Sequence, residues 1–86
     1  MFNPPLTKVL RLIDINIPKV LHQEPILARL ISEYNIIVNF NAAVLDRKAT
    51  GGGWFNLSLE GYPQDVENAL NYLRDLEIEI FDRTSA

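Results

Sequence analysis

Residues 36–44 read Ile36-Ile37-Val38-Asn39-Phe40-Asn41-Ala42-Ala43-Val44. The run is a strand by composition, because β-branched and aromatic side chains fit a pleated, half-buried surface. Successive side chains on a strand point to opposite faces. Strict alternation puts Ile36, Val38, Phe40, Ala42 and Val44 on one wholly apolar face. It puts Ile37, Asn39, Asn41, Ala43 and Leu45 on the other, where two carboxamides sit in an apolar ground. A carboxamide both donates and accepts hydrogen bonds, so the pair suits a polar ligand or a partner strand.

The neighbouring segments turn this strand into a fold. The turn Lys48-Ala49-Thr50-Gly51-Gly52-Gly53 is rich in residues that accept positive φ. A return strand over 54–60 follows, with Phe55, Leu57 and Leu59 on one side and Trp54, Asn56, Ser58 and Glu60 on the other. Upstream, Pro25 suits a first helical turn. Ile26, Leu27, Leu30, Ile31 and Tyr34 then recur at helical spacing, and Asn35 can stop the helix in a left-handed conformation. Before that helix, residues 6–15 alternate as a strand, with Leu10 and Leu12 opposed to Val9, Ile13 and Ile15. After the hairpin, Gly61-Tyr62-Pro63 opens a second helix whose stripe is Val66, Ala69, Leu70 and Leu73, with Asp65 and Glu67 near its positive end. Residues 77–81 make a last strand. The order β-α-β-β-α-β predicts an α+β, ferredoxin-like sandwich: a four-stranded antiparallel sheet with two helices on one face. The helix stripes are expected to bury Val38, Phe40, Phe55, Leu57 and Ile80. The open face then carries Ile37, Asn39, Asn41, Leu45, Trp54 and Asn56.

Eighty-six residues make one domain, expected over 6–82, with a flexible arm at 1–5 and a tail at 83–86. A net charge of -3 and the lack of a basic stripe argue against a nucleic-acid partner. The absence of cysteine excludes disulfides and thiolate-held metals within the chain. No signal-peptide pattern and no long apolar run is present, so no membrane insertion and a cytoplasmic location are expected.

The run Glu24-Pro-Ile-Leu-Ala-Arg-Leu-Ile-Ser-Glu-Tyr-Asn-Ile-Ile-Val-Asn-Phe-Asn41 resembles the first helix and second strand of the NIL domain. The segments 54–61, 66–73 and 78–81 are similar to the family's third strand, second helix and fourth strand. The family takes its name from an Asn-Ile-Leu triplet, which aligns with Asn39-Phe40-Asn41. The resemblance implies an ACT-like fold and methionine binding of the kind found at the C-terminus of methionine-importer ATPase subunits. Family members also occur beside iron–sulfur ferredoxin modules and as short free-standing proteins, the form this chain resembles. It implies a ligand role for Asn39. Asn41 departs from the triplet's Leu, and the connection over 16–23 is longer than the family's usual first loop.

Ligand contacts are therefore expected from Asn39, Asn41, Ile37 and Trp54, against the alternative that the asparagines only solvate an exposed face. Trp54 suits stacking on a ligand or a second copy equally with half-burial beside the glycine turn. His22 has no second His or Cys to share a metal with. The glycine run lacks the spacing of a phosphate loop, and a strand follows it rather than a helix. Asp46, Glu60, Glu77 and Glu79 read as solvated charges. No nucleophile, base and orienting group can be assembled, so no catalytic residue, metal or cofactor is expected. Two functions remain: a non-enzymatic regulatory domain binding an amino acid, methionine first, at a homodimer interface; or a ligand-free module docking a protein partner through its open face.

Overall fold

β-Branched residues dominate Val9–Ile17, which forms β1, the strand that the others flank. The computed structural model describes residues 7–18, 21, 24–45 and 53–84. After β1 come α1 (Ile26–Glu33), β2 (Ile37–Leu45), β3 (Gly53–Gly61), α2 (Pro63–Asp75) and β4 (Glu79–Asp82). The four strands form one sheet in the order β2-β3-β1-β4, every neighbouring pair antiparallel. β1 and β3 pair along their whole length, from Val9 opposite Gly61 to Ile17 opposite Gly53. Ile13, Ile15 and Ile17 of β1 and Leu57 and Leu59 of β3 are buried on one side. Ile26 and Leu30 of α1 and Val66, Ala69, Leu70 and Leu73 of α2 join them in a single core. Both helices therefore cover the same face, as the periodicities predict for a ferredoxin-like α+β fold. Tyr34 and Tyr72, with ring centroids 5.4 Å apart, link the two helical regions. Among the described residues no helix is long and apolar enough to cross a membrane.

The strand β2 departs from strict alternation. Phe40 pairs with Leu57, but Ala42 pairs with Asn56, so Asn41 is the extra residue of a β-bulge. Before the bulge, Val38 and Phe40 share the helix side with Leu59 and Leu57. After it, Ala43 opposite Phe55 takes that side, while Ala42 and Val44 turn to the open face. The expected face of Ile36, Val38, Phe40, Ala42 and Val44 is thus split between the two sides of the sheet. Phe40, expected in the core, is 51% exposed. β2 lies at the sheet edge, and α1 and α2 close over the central β1–β3 pair, leaving β2 half uncovered. The expectation for the Leu45 side chain falls outside the described residues, as do those for the 1–5 arm, His22, Asp46 and the turn over 48–52.

Both helix ends depend on particular residues. α1 stops with Tyr34 in an extended conformation (φ -118°, ψ 140°), not with a left-handed Asn35. The chain then crosses the end of β3 so closely that a Cβ on Gly61 would lie 2.9 Å from Ile36 Cγ2. That approach admits only glycine without displacing its neighbours. α2 ends in a Schellman motif: the Glu77 N–H donates to the Arg74 carbonyl at 2.9 Å and the Ile78 N–H to the Leu73 carbonyl at 3.2 Å. Ile78 packs into the core with Leu73. The motif requires a left-handed residue, and Glu77 occupies it at φ 60°. β4 consequently begins at Glu79, two residues later than alternation suggests. A side chain in this region costs about 1–2 kcal/mol. Glu77→Gly should therefore stabilise the protein by about 1 kcal/mol after glycine's own unfolded-state entropy is counted, and Glu77→Val should destabilise it. Urea unfolding midpoints at constant m-value measure both.

Candidate functional site

The face turned away from the helices carries a ladder of polar side chains that crosses the sheet. Asn41 Nδ2 donates to Ser58 Oγ at 2.8 Å and to Asn56 Oδ1 at 3.0 Å. Asn56 Nδ2 donates to Asp14 Oδ1 at 2.6 Å, and Arg83 Nε donates to Asp14 Oδ2 at 2.6 Å. The Asn56 and Arg83 hydrogen bonds hold the Asp14 carboxyl below the usual carboxylate range, against a smaller opposing effect of desolvation. The bulge lets Asn41 join this ladder, because the extra residue keeps its side chain beside both Ser58 and Asn56. Residues 83–86 are assigned by the sequence to a tail, yet Arg83 and Thr84 lie against β1: the Arg83 N–H donates to the Leu12 carbonyl, and the Leu12 N–H donates to Thr84 Oγ1. Beyond Arg83, Asp82 accepts from Arg11 on the other side of the sheet. Asn16 donates to Glu79 at 3.3 Å, while its Oδ1 is buried without a partner among the described residues.

On one side of the ladder lies an open groove of about 540 Å³, lined by Asp14, Ala42, Val44, Trp54, Phe55, Asn56, Phe81 and Arg83. The rings of Trp54 and Phe81 pack at 5.7 Å between centroids and reach toward each other across β1. The groove exists because the floor residues are short: Ala42, Asn56 and Asp14 stand in one row across the sheet, between larger neighbours. On the other side, at the start of β2, a hollow of about 150 Å³ is lined by Lys8, Asn35, Ile36, Ile37, Glu60, Gly61 and Tyr62. Lys8 Nζ sits 5.8 Å from the centre of the Tyr62 ring. Another depression, of about 380 Å³ beside α1, has an apolar lining apart from Glu24.

The four expected site residues share the open face but not one pocket. Ile37 pairs with Glu60, Asn39 with Ser58, and Trp54 with Val44. The Asn39 row therefore lies four positions along β3 from the Trp54 row, about 13 Å at the usual strand rise. No small ligand spans that distance within one chain. Asn41 lies between them, with both its donors used in the ladder. Asn39 is exposed and makes no side-chain hydrogen bond among the described residues. The sequence reading missed Asp14, Phe81 and Arg83. Asp14 had a signal, being the one charged residue among the alternating apolar positions of 12–17. Arg83 had none, since its role depends on the chain running on past β4.

A family model, the NIL domain, matches residues 11–80. An uncharacterized protein of Synechocystis sp. is 42% identical over 66 residues, 77% of this chain and 67% of its own length. An uncharacterized protein of Synechococcus elongatus is 31% identical over 72 residues, 84% of this chain and 89% of its own. The C-terminal domain of an ABC transporter ATP-binding protein from Enterococcus faecalis superposes with a TM-score of 0.70 at 20% identity, over 88% of this chain and 86% of that one. At that identity the likeness is one of fold.

The lowered carboxyls of Asp14, in the ladder, and Asp82, on the other side of the sheet, give the fold a pH signature. Asp14 is held down by Asn56 and Arg83, and Asp82 by Thr84 and Arg11. In the range just below pH 4 the unfolded chain binds more protons at these positions than the folded one, so folding loses stability as pH falls. Their contribution should be complete above about pH 5 and decline below about pH 4. Thermal melts from neutral pH to pH 2 should show a steeper acid loss in the wild type than in Asp14→Asn, which retains only the Asp82 part.

Proposed function

The chain belongs to the NIL domain family, and on that premise we propose that it is a non-enzymatic regulatory domain that binds an amino acid, methionine first, beside Asn39. The observation that carries this reading is the carboxamide of Asn39, unpaired among the described residues, on a face where Asn41 and Asn56 are committed to the ladder. Asn39 stands at the family's triplet position. Ile37 lies on the same face, about 7 Å along the strand, and supplies an apolar wall for a thioether. The adjoining hollow brings Lys8 and Glu60 to that end of the sheet, a cation and an anion to meet a zwitterion's carboxylate and ammonium. Trp54 belongs to this site only through a second copy. In this reading Asn41, with both amide hydrogens in the ladder, braces the strand beside the ligand.

A homodimer fits the same surface. β2 is a nine-residue edge strand, and its outer backbone groups and the exposed Ile37, Phe40 and Val44 favour pairing with another strand. The alternative, a ligand-free docking module, draws on a different observation: Leu10, Ile37, Val44, Trp54 and Phe81 are exposed on the open face, more apolar surface than a monomer ordinarily leaves uncovered.

Titration calorimetry separates the two. Methionine should bind with a dissociation constant between about 1 μM and 1 mM. Asn39→Ala should weaken it by roughly ten- to hundredfold, the worth of a hydrogen bond to a charged group. Asn41→Leu should leave methionine affinity within about twofold of wild type and lower stability by about 1–2 kcal/mol through the broken ladder. Absence of heat with methionine would favour the docking module. Sedimentation should find a dimer at high micromolar concentration, burying on the order of 800 Å² per partner; a monomer there removes the dimer from the proposal.

A further inference from the structure

We propose that the groove walled by the packed Trp54–Phe81 pair is a second ligand site, separate from Asn39, which takes a carboxylate with a flat apolar body. Three observations lead there. The first is shape: Ala42 leaves a depression on the open face, bounded by Val44, Trp54 and Phe81, with about 540 Å³ of space. That volume is within the range of small-molecule sites. The second is the character of the walls. Trp54 is 40% exposed and Phe81 48% exposed, and their rings are already packed together at 5.7 Å with 33° between planes. Such a pair offers a broad aromatic surface whose side-chain entropy has been largely spent before any ligand arrives. The third is the charge at the rim. Arg83 donates through Nε to Asp14 Oδ2 at 2.6 Å. Its Nη groups make no bond among the described residues. The guanidinium is therefore held in place by one edge and free at the other, where its fork matches a carboxylate's two oxygens.

The chemistry selects an anion. The free Nη edge consists only of donors, so a neutral amide satisfies it less well than a carboxylate. A flat body lies against Trp54 and Phe81 while its acid group reaches Arg83. Asp14, on the groove floor, orients Arg83 through Nε and has its own carboxyl kept ionised by Asn56 and Arg83, so the ligand's acid group is directed to the far Nη edge of the guanidinium. The site does not depend on the methionine reading, because the groove shares no lining residue with the hollow beside Ile37, and its nearest β3 row, at Asn56, lies about 7 Å along the strand from the Asn39–Ser58 row.

Trp54 is the chain's only tryptophan, so its fluorescence reports on the groove directly. Titrating the full chain with 3-phenylpropionate should give a saturable change in Trp54 emission, with a dissociation constant between about 0.1 and 1 mM for a ligand of this size. The neutral 3-phenylpropionamide should bind at least about tenfold more weakly, as loss of a charge-assisted hydrogen bond requires. Arg83→Gln should weaken the acid by a similar factor and leave the amide unchanged. Ala42→Phe, which fills the depression, should abolish both, and Asn39→Ala should alter neither. Melting curves establish that each variant is folded, and the Arg83→Gln comparison stands even if Ala42→Phe is not. Acid and amide binding alike, an Arg83→Gln titration equal to wild type, or no saturable change below about 10 mM, well beyond that affinity range, overturns the site. Loss of groove binding in Asn39→Ala overturns its separateness.

Discussion

The full-length pairing of β1 with β3 places Ile13, Ile15, Leu57 and Leu59 on one side of the sheet, and two helices of eight and thirteen residues close over that side alone. Every other feature of the molecule follows from where this coverage ends. A chain of 86 residues has little apolar surface to spare, and here it is concentrated over the central pair. The edge strand β2 receives only a part of it, through Val38, and the opposite face none. Phe40 illustrates the limit: its partner Leu57 is fully buried, while Phe40 itself is half exposed.

An uncovered sheet face must satisfy its polar side chains by other means. The ladder from Asn41 through Asn56 to Asp14 and Arg83 does this with side chains from β2, β3, β1 and the segment after β4. Hydrogen bonds to a charged group are stronger than neutral ones, and Asp14 receives two of them. The ladder also divides the face. One end gathers Ile37, Asn39, Glu60 and Lys8, where charges of both signs stand beside a carboxamide. The other gathers Trp54, Phe81, Val44 and Arg83, where aromatic surface lies beside a guanidinium. This chain of the NIL domain family thus carries two chemically different surfaces.

The bulge at Asn41 gives this division its geometry. With an uninterrupted β2, Ala42 and Val44 would face the helices, and Trp54 would stand opposite a different side chain. One inserted residue reverses the strand's second half. It brings Val44 beside Trp54 and places Ala42 in the row with Asn56 and Asp14. Asn41 both forms the bulge and braces it through the ladder.

The sequence by itself determined the order of elements, the second helix's stripe, Ile26 and Leu30 of the first, and the burial of Leu57, because these rest on periodicity, and periodicity is local. Ile31, expected in the first stripe, is 48% exposed, since the short α1 turns only Ile26 and Leu30 fully into the core. It placed Asn39, Trp54 and Asn56 on the open face for the same reason. It could not locate the bulge, since an extra residue leaves composition unchanged and alters only the pairing with β3. It could not tell the cap at Glu77 from the first residue of a strand, because a left-handed glutamate is stabilised by the Leu73–Ile78 contact rather than by its own preference. Nor could it join Arg83 to Asp14, 69 positions apart. Those outcomes belong to the tertiary structure: each depends on which residues from distant parts of the chain are brought within a few ångströms, and the sheet order β2-β3-β1-β4 alone sets that.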